Sequence, residues 1–137
     1  MSGRVVVLKF GGTSVATPER WRTILEQAQQ RVAAGLRPVI VCSALTKVTD
    51  LLQKLVAEAL AGRHQPVLDE LRQRHLELAA KLGVDPHATI GAELGELERL
   101  AMGIALVKEG SPRLVARVLA MGELFSTRLG AAYLAAA

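Results

Sequence analysis

The sequence predicts an α/β protein in which parallel strands are covered by helices. Three features carry this: two short β-branched runs, a helix between them, and a long helical remainder. The first run, RVVVLKF at residues 4–10, is continuously apolar until its end, the pattern of a strand buried on both faces of a parallel sheet. The second, RPVIVC at residues 37–42, opens through Pro38, which a strand tolerates at its start and not in its middle. Between them, Thr17-Pro18-Glu19 reads as a helix start, with a capping hydroxyl, a proline in the first turn and an acid at the positive end. That helix is expected to run to about residue 34, where Gly35 supplies a stop. The unit is β-α-β, for which a right-handed crossover is expected.

The rest reads as helix. Leu51, Leu52, Leu55, Val56, Ala59 and Leu60 recur at helical spacing and end at Gly62. Leu68, Leu71, Leu78 and Leu82 form a second helix, stopped by Gly83 and Pro86, and Leu94, Leu97, Leu100, Ile104 and Val107 a third, stopped at Gly110. A fourth opens at Ser111-Pro112 and runs to the last residue. Two strands present too little sheet to bury the apolar faces of five helices, and the last helix ends without a cap or a charge. The expectation is therefore that residues 1–137 are the N-terminal part of a larger α/β domain.

Composition narrows the function classes. The 137 residues are 50% hydrophobic and 22% charged, enough to bury a core, and one Trp, one Tyr and two Phe make that core aliphatic. No apolar run approaches the roughly 18 residues of a spanning helix, and Met1-Ser2-Gly3-Arg4 with the apolar stretch after it is too short for a signal peptide. The single cysteine, Cys42, cannot form an internal disulfide, which points to the cytoplasm. The net charge of +4 invites a nucleic-acid reading. The basic residues, among them Arg20, Arg31, Arg37, Lys54, Arg72, Lys81, Arg99 and Arg117, are instead spread at helix-surface spacing, without a basic run or a set of aromatics to stack bases. The charge is expected to be an ordinary solvated surface or, alternatively, to serve an anionic small-molecule partner, with neither nucleic acid nor membrane.

Three segments could carry chemistry. Lys9-Phe10-Gly11-Gly12-Thr13-Ser14 follows the first strand directly. A double glycine there lets the backbone turn and bring N–H groups to an anion, with Lys9 adding positive charge and Thr13 and Ser14 adding hydroxyls. The segment equally reads as a tight strand-to-helix turn with a solvated lysine; it is neither GxGxxG nor a P-loop. The second segment, CSALTKVTD at residues 42–50, follows the other strand, with Thr49 or Asp50 as a candidate helix cap. Its hydroxyls, from Ser43, Thr46 and Thr49, either meet a ligand or satisfy backbone donors. The third is MGELFS at residues 121–126. Leu114, Val118, Gly122, Phe125 and Leu129 form an inward stripe, and Leu119, Glu123, Ser126, Thr127 and Gly130 a face of small and polar groups beside it. Glu123 has no Lys or Arg three or four residues away, so its partner is either a ligand ammonium or solvent. His64, His75 and His87 have no metal-ligand spacing among themselves or with Cys42, which fits packing or surface roles.

These three motifs, in this order, resemble those of the amino acid kinase superfamily, and of aspartokinases in particular. VLKFGGTSVA at residues 7–16 is similar to the aspartokinase N-terminal signature, CSALTKVTD to its serine-alanine and threonine loop, and MGELFS to its glycine-glutamate-leucine-x-serine motif in the lysine-sensitive form. The resemblance implies a three-layer amino acid kinase-like fold, of which this chain holds the N-terminal part of the catalytic domain without a regulatory ACT domain. It implies transfer of the ATP γ-phosphoryl to the side-chain carboxylate of L-aspartate, giving 4-phospho-L-aspartate at the head of lysine, threonine and methionine biosynthesis. By the same resemblance, Lys9 neutralises charge on the transferring phosphoryl, and Lys9, Phe10, Gly11, Gly12, Thr13 and Ser14 form the ATP phosphate segment. Ser43, Ala44 and Thr49 would bind aspartate, and Glu123 its ammonium. ATP with Mg²⁺ is the implied co-substrate, with no dedicated metal ligands in the chain, and a homo-oligomer is the implied assembly. The alternatives are a kinase for glutamate, acetylglutamate or a nucleotide monophosphate, and a non-catalytic ligand-binding or assembly module.

Overall fold

The computed structural model describes residues 3–137; Met1 and Ser2, part of the start read above against a signal peptide, lie outside the described residues. Strand β1 (Val5–Phe10) leads through a short 3-10 turn (Gly12–Val15) into helix α1 (Pro18–Ala33) and back to strand β2 (Arg37–Cys42). The strands pair in parallel, from Val5 opposite Arg37 to Phe10 opposite Cys42, so their carboxyl ends lie side by side. Four helices follow: α2 (Val48–Leu60), α3 (Gln65–Leu82), α4 (Pro86–Val107) and α5 (Pro112–Ala136).

Local chemistry sets most of these boundaries. Thr17 caps α1 by accepting the Arg20 N–H at 3.3 Å, and Ser111 caps α5 by accepting that of Leu114 at 3.2 Å. Asp85 does the same for α4 through the His87 N–H, at 2.9 Å; Pro86, expected only as a stop, therefore also opens a helix. Gly35, Gly62 and Gly83 end α1, α2 and α3 in the left-handed conformation that only glycine adopts without strain. Two boundaries differ from the expected ones. Helix α4 stops at Val107 with Lys108, not Gly110, in the left-handed position, at φ +59°. Helix α2 starts after Lys47, also left-handed at φ +66°, and neither Thr49 nor Asp50 caps it because both already lie inside its first turn.

The core sits mainly among the helices. Trp21 and Phe125 are fully buried within an otherwise aliphatic cluster that includes Ile24, Leu52, Leu55, Leu68, Leu71, Ile90, Leu97, Ile104 and Leu129. On the sheet, Ile40 and Cys42 face Trp21 of α1 and Gly130, Ala131 and Leu134 of α5 around a cavity of about 80 Å³. The other face is bare: Val5, Val7, Val39 and Val41 are 41–62% exposed. The strands are thus covered on one face within the described residues, against the expectation of burial on both. A continuous apolar run shows that both faces can be buried, and here helices reach only one. The basic residues behave as a solvated surface, with ion pairs Arg63–Glu58, Arg72–Glu98, Arg74–Glu70, Arg117–Glu96 and Arg128–Glu93. Among the described residues, no helix is long and apolar enough to cross a membrane.

Candidate functional site

The three motifs meet at one place, the Ser43–Ala44 turn that leaves β2. The parallel register puts Phe10 beside Cys42, and the Ser43 N–H donates to the Phe10 carbonyl at 3.0 Å, extending the pairing one residue past the strand. Gly12 approaches from the first motif: a Cβ there would lie 2.8 Å from the Ala44 carbonyl oxygen. Helix α5 approaches from the third, where a Cβ at Gly122 would lie 2.9 Å from that of Ala44 and 3.3 Å from Val48. The Ser126 hydroxyl, fully buried, donates to the Ser43 carbonyl at 2.6 Å. Segments 83 residues apart in the chain are therefore in direct contact.

The glycine pair works differently from the expected turn. Gly11 is extended, with φ −77° and ψ 177°, and Gly12 is absent from the residues with positive φ, so neither uses glycine's special conformations. Gly12 is needed because the second loop lies against its Cα, while nothing lies within 4 Å of a Cβ at Gly11, where the surface is open. The 3-10 turn that follows is fixed by the Ser14 N–H donating to the Gly11 carbonyl at 3.0 Å and by Trp21 Nε1–H donating to Val15 at 2.8 Å. Lys9 is exposed, lies on the bare face of the sheet opposite Val41, and enters none of the ion pairs among the described residues. Phe10 is half-buried, Thr13 exposed and Ser14 half-buried.

In the second segment Ala44 is buried, Ser43 half-buried and Thr49 exposed on the first turn of α2. The side-chain hydrogen bonds of this region are those of Ser126, to Ser43 and, at 3.2 Å, to the Glu123 carbonyl. Among the described residues the hydroxyls of Ser43, Thr46 and Thr49 take part in none, so they do not serve the local backbone there. Thr46 faces the other way, into a cavity of about 190 Å³ behind the loop with Ala16, Leu45, Arg74, Glu77, Leu78 and Lys81. Glu123 is exposed and unpaired among the described residues, which leaves its carboxylate open to solvent or to a ligand ammonium.

Two structural contributors escaped the sequence reading. The sequence pattern puts Gly122 and Ser126 on separate stripes, yet Val118, Gly122, Ser126 and Gly130 are all buried along one line of α5. Their spacing of four residues, with three small side chains in the row, is the signal of close approach to another backbone or ring. Lys47, with its left-handed backbone between Thr46 and α2, had no such signal. Behind the site, His75 of α3 is fully buried, with its ring 4.7 Å from that of Phe125 and Nδ1 2.7 Å from the Leu71 carbonyl oxygen, while Nε2 has no partner. Burial holds this imidazole below its usual pKa, opposed by the Leu71 contact and reinforced by the Arg74 charge. It is a packing histidine, as its lack of ligand spacing implied. Burial likewise raises the Cys42 thiol above its usual range. No three His, Cys, Asp or Glu side chains among the described residues are grouped to hold a metal ion.

Loops at the carboxyl ends of parallel strands, as these are, form the place where open α/β proteins take small ligands. The chain belongs to the amino acid kinase family, whose profile matches residues 4–137. It is 35% identical over 137 residues to aspartokinase 1 of Arabidopsis thaliana, covering 96% of this chain and 24% of that protein. It is 33% identical over 129 residues to the aspartokinase of Chlamydia trachomatis, covering 93% of this chain and 27% of that one. The crystal structure of Escherichia coli aspartokinase III in complex with aspartate and ADP superposes with a TM-score of 0.80 at 30% identity, covering 96% of this chain and 29% of that one. The chain thus spans about a quarter of the length of the curated relatives it matches.

Proposed function

We propose that the chain forms the N-terminal part of the catalytic domain of an aspartate kinase, which transfers the γ-phosphoryl of ATP to the side-chain carboxylate of L-aspartate. A carboxylate oxygen attacks the γ-phosphorus, the bond to the bridging β,γ-oxygen breaks, and 4-phospho-L-aspartate and ADP are released. The observation that carries this reading is the convergence of the Gly12, Ser43–Ala44 and α5 segments on one turn, in a chain that resembles aspartokinases over nearly its whole length.

Each role follows from what a residue offers. Lys9, exposed and outside every ion pair described, supplies positive charge toward the transferring phosphoryl. The open surface at Gly11 lets phosphate oxygens approach the backbone N–H groups of Gly11 and Gly12, flanked by Phe10, Thr13 and Ser14. The Ser43 and Thr49 hydroxyls, unused among the described residues, hold aspartate against Ala44, and the Glu123 carboxylate, unpaired among them, receives its ammonium. Positioning and electrostatics are most of what phosphoryl transfer requires. Mg²⁺ accompanies ATP; the residues described do not make a metal site, and no step is assigned to the ion. The bare valine face of the sheet supports a larger domain, in which further chain covers Val5, Val7, Val39 and Val41. Cytoplasmic location and homo-oligomeric assembly complete the proposal.

The test is a substrate panel on the natural protein that carries this chain, following ADP release and trapping acyl phosphate with hydroxylamine. Aspartate-dependent formation of the hydroxamate is expected. Turnover with glutamate, acetylglutamate or a nucleotide monophosphate and none with aspartate would replace this reading.

A further inference from the structure

We infer that Ser126 is a positioning residue that sets the acceptor side of the site by anchoring the backbone of Ser43. The inference rests on the aspartate-kinase reading above and concerns a residue that this reading does not use. Ser43 follows the last residue of β2, so the strand ladder no longer holds both its polar backbone groups. Its N–H is held by the Phe10 carbonyl at 3.0 Å. Its carbonyl is held by the Ser126 hydroxyl at 2.6 Å, within the range of a strong O–H···O bond. With both groups held, the peptide planes on either side of Ser43 are fixed, and its side-chain oxygen is aimed. Ser126 is fully buried, so no water replaces the hydroxyl when it is removed.

The same hydroxyl lies 3.2 Å from the carbonyl oxygen of Glu123, one turn earlier on α5. A single hydroxyl therefore registers the helix that carries Glu123 against the turn that carries Ser43. Gly122 makes this possible, because any side chain there would meet Ala44 and hold the helix off. Ser126 hydrogen-bonds to no residue of the phosphate segment, and the Phe10 carbonyl still holds the Ser43 N–H when the hydroxyl is removed, so its effect falls first on the Ser43 carbonyl side and on aspartate.

The experiment compares Ser126→Ala, Ser126→Thr and Gly122→Ala in the natural protein, by steady-state kinetics with each substrate varied. Ser126→Ala is expected to raise the KM for aspartate about tenfold while the KM for ATP stays within about twofold. Ser126→Thr keeps the hydroxyl and should return the aspartate KM most of the way to wild type. Gly122→Ala, which pushes the turn instead of releasing it, should also raise the aspartate KM selectively, and it carries the test if Ser126→Ala does not fold. An unchanged aspartate KM in Ser126→Ala, equal shifts in both KM values, or a Thr variant as impaired as the Ala variant would each overturn the inference. Wild-type protein without aspartate-dependent turnover would sink the functional reading and this inference together; an aspartate-dependent wild type with an unaffected Ser126→Ala sinks the inference alone.

Discussion

Gly130→Ala tests the packing that supports the site. A Cβ at this position of α5 would lie 1.9, 2.4 and 2.5 Å from three carbons of the Trp21 six-membered ring. Ordinary contact begins near 3.4 Å, so ring and helix must separate by about 1.5 Å. The ring is rigid and 1% exposed, and Tyr133 packs against its edge at 6.5 Å. Overpacking of a tight core costs about 1–3 kcal/mol. Moving the indole also strains the bond from Nε1 to the Val15 carbonyl, and losing it costs about 1 kcal/mol or more. The better helix propensity of alanine returns about 1 kcal/mol, leaving a net destabilisation of about 1–3 kcal/mol. Urea denaturation of wild type, Gly130→Ala, Trp21→Phe and the double variant measures it. Phenylalanine lacks the three clashing carbons, so the double variant should be more stable than the sum of the single effects predicts. A Gly130→Ala protein within about 0.5 kcal/mol of wild type, or strict additivity in the cycle, would refute the reasoning.

Three further outcomes are expected. Lys9→Ala should lower kcat by on the order of 10²-fold or more with little change in the melting temperature, because an exposed charge aimed at the phosphoryl is removed and no packing is lost; unchanged turnover removes Lys9 from the mechanism. Glu123→Gln should raise the KM for aspartate by about tenfold or more and leave that for ATP in place, as expected for a charge-assisted contact to the ammonium; a shift confined to ATP would reassign the residue. The lowered pKa of His75 makes stability depend on pH. The unfolded chain takes up a proton near the ordinary value of 6.5 while the buried ring resists, so stability is full above that pH and falls below it. The limiting slope is about 1.4 kcal/mol per pH unit for one proton. His75→Leu should flatten the melting temperature between about pH 7.5 and pH 5.5 relative to wild type; parallel curves for the two proteins would show that other groups set this dependence.

Where the structure agrees with the sequence and where it departs follows the range of the forces involved. Thr17, Asp85 and Ser111 cap helices with hydrogen bonds that span two or three residues, and Gly35, Gly62 and Gly83 end them through a single backbone conformation. Such features are complete within a few residues, so the order and nearly all the bounds of the elements are legible in the sequence. So are the three motifs and the residue types they hold. Lys47 and Lys108 mark the limit, since nothing in a lysine announces a left-handed backbone that its surroundings impose.

The sequence by itself determined the β-α-β unit, the four later helices, the aliphatic core and the three candidate segments. Tertiary structure alone decided that those segments meet at Ser43–Ala44. It also made Gly12 and Gly122 points of close approach, and joined Gly122, Ser126 and Gly130 into one buried row. It further decided that the apolar run Val5–Leu8 is covered on one face only, because Val5 and Val6 are the same residue type and differ in what packs against them. The physical reason is that a short-range bond is specified by neighbours in the chain, whereas a contact across 83 residues depends on how helix and sheet cross.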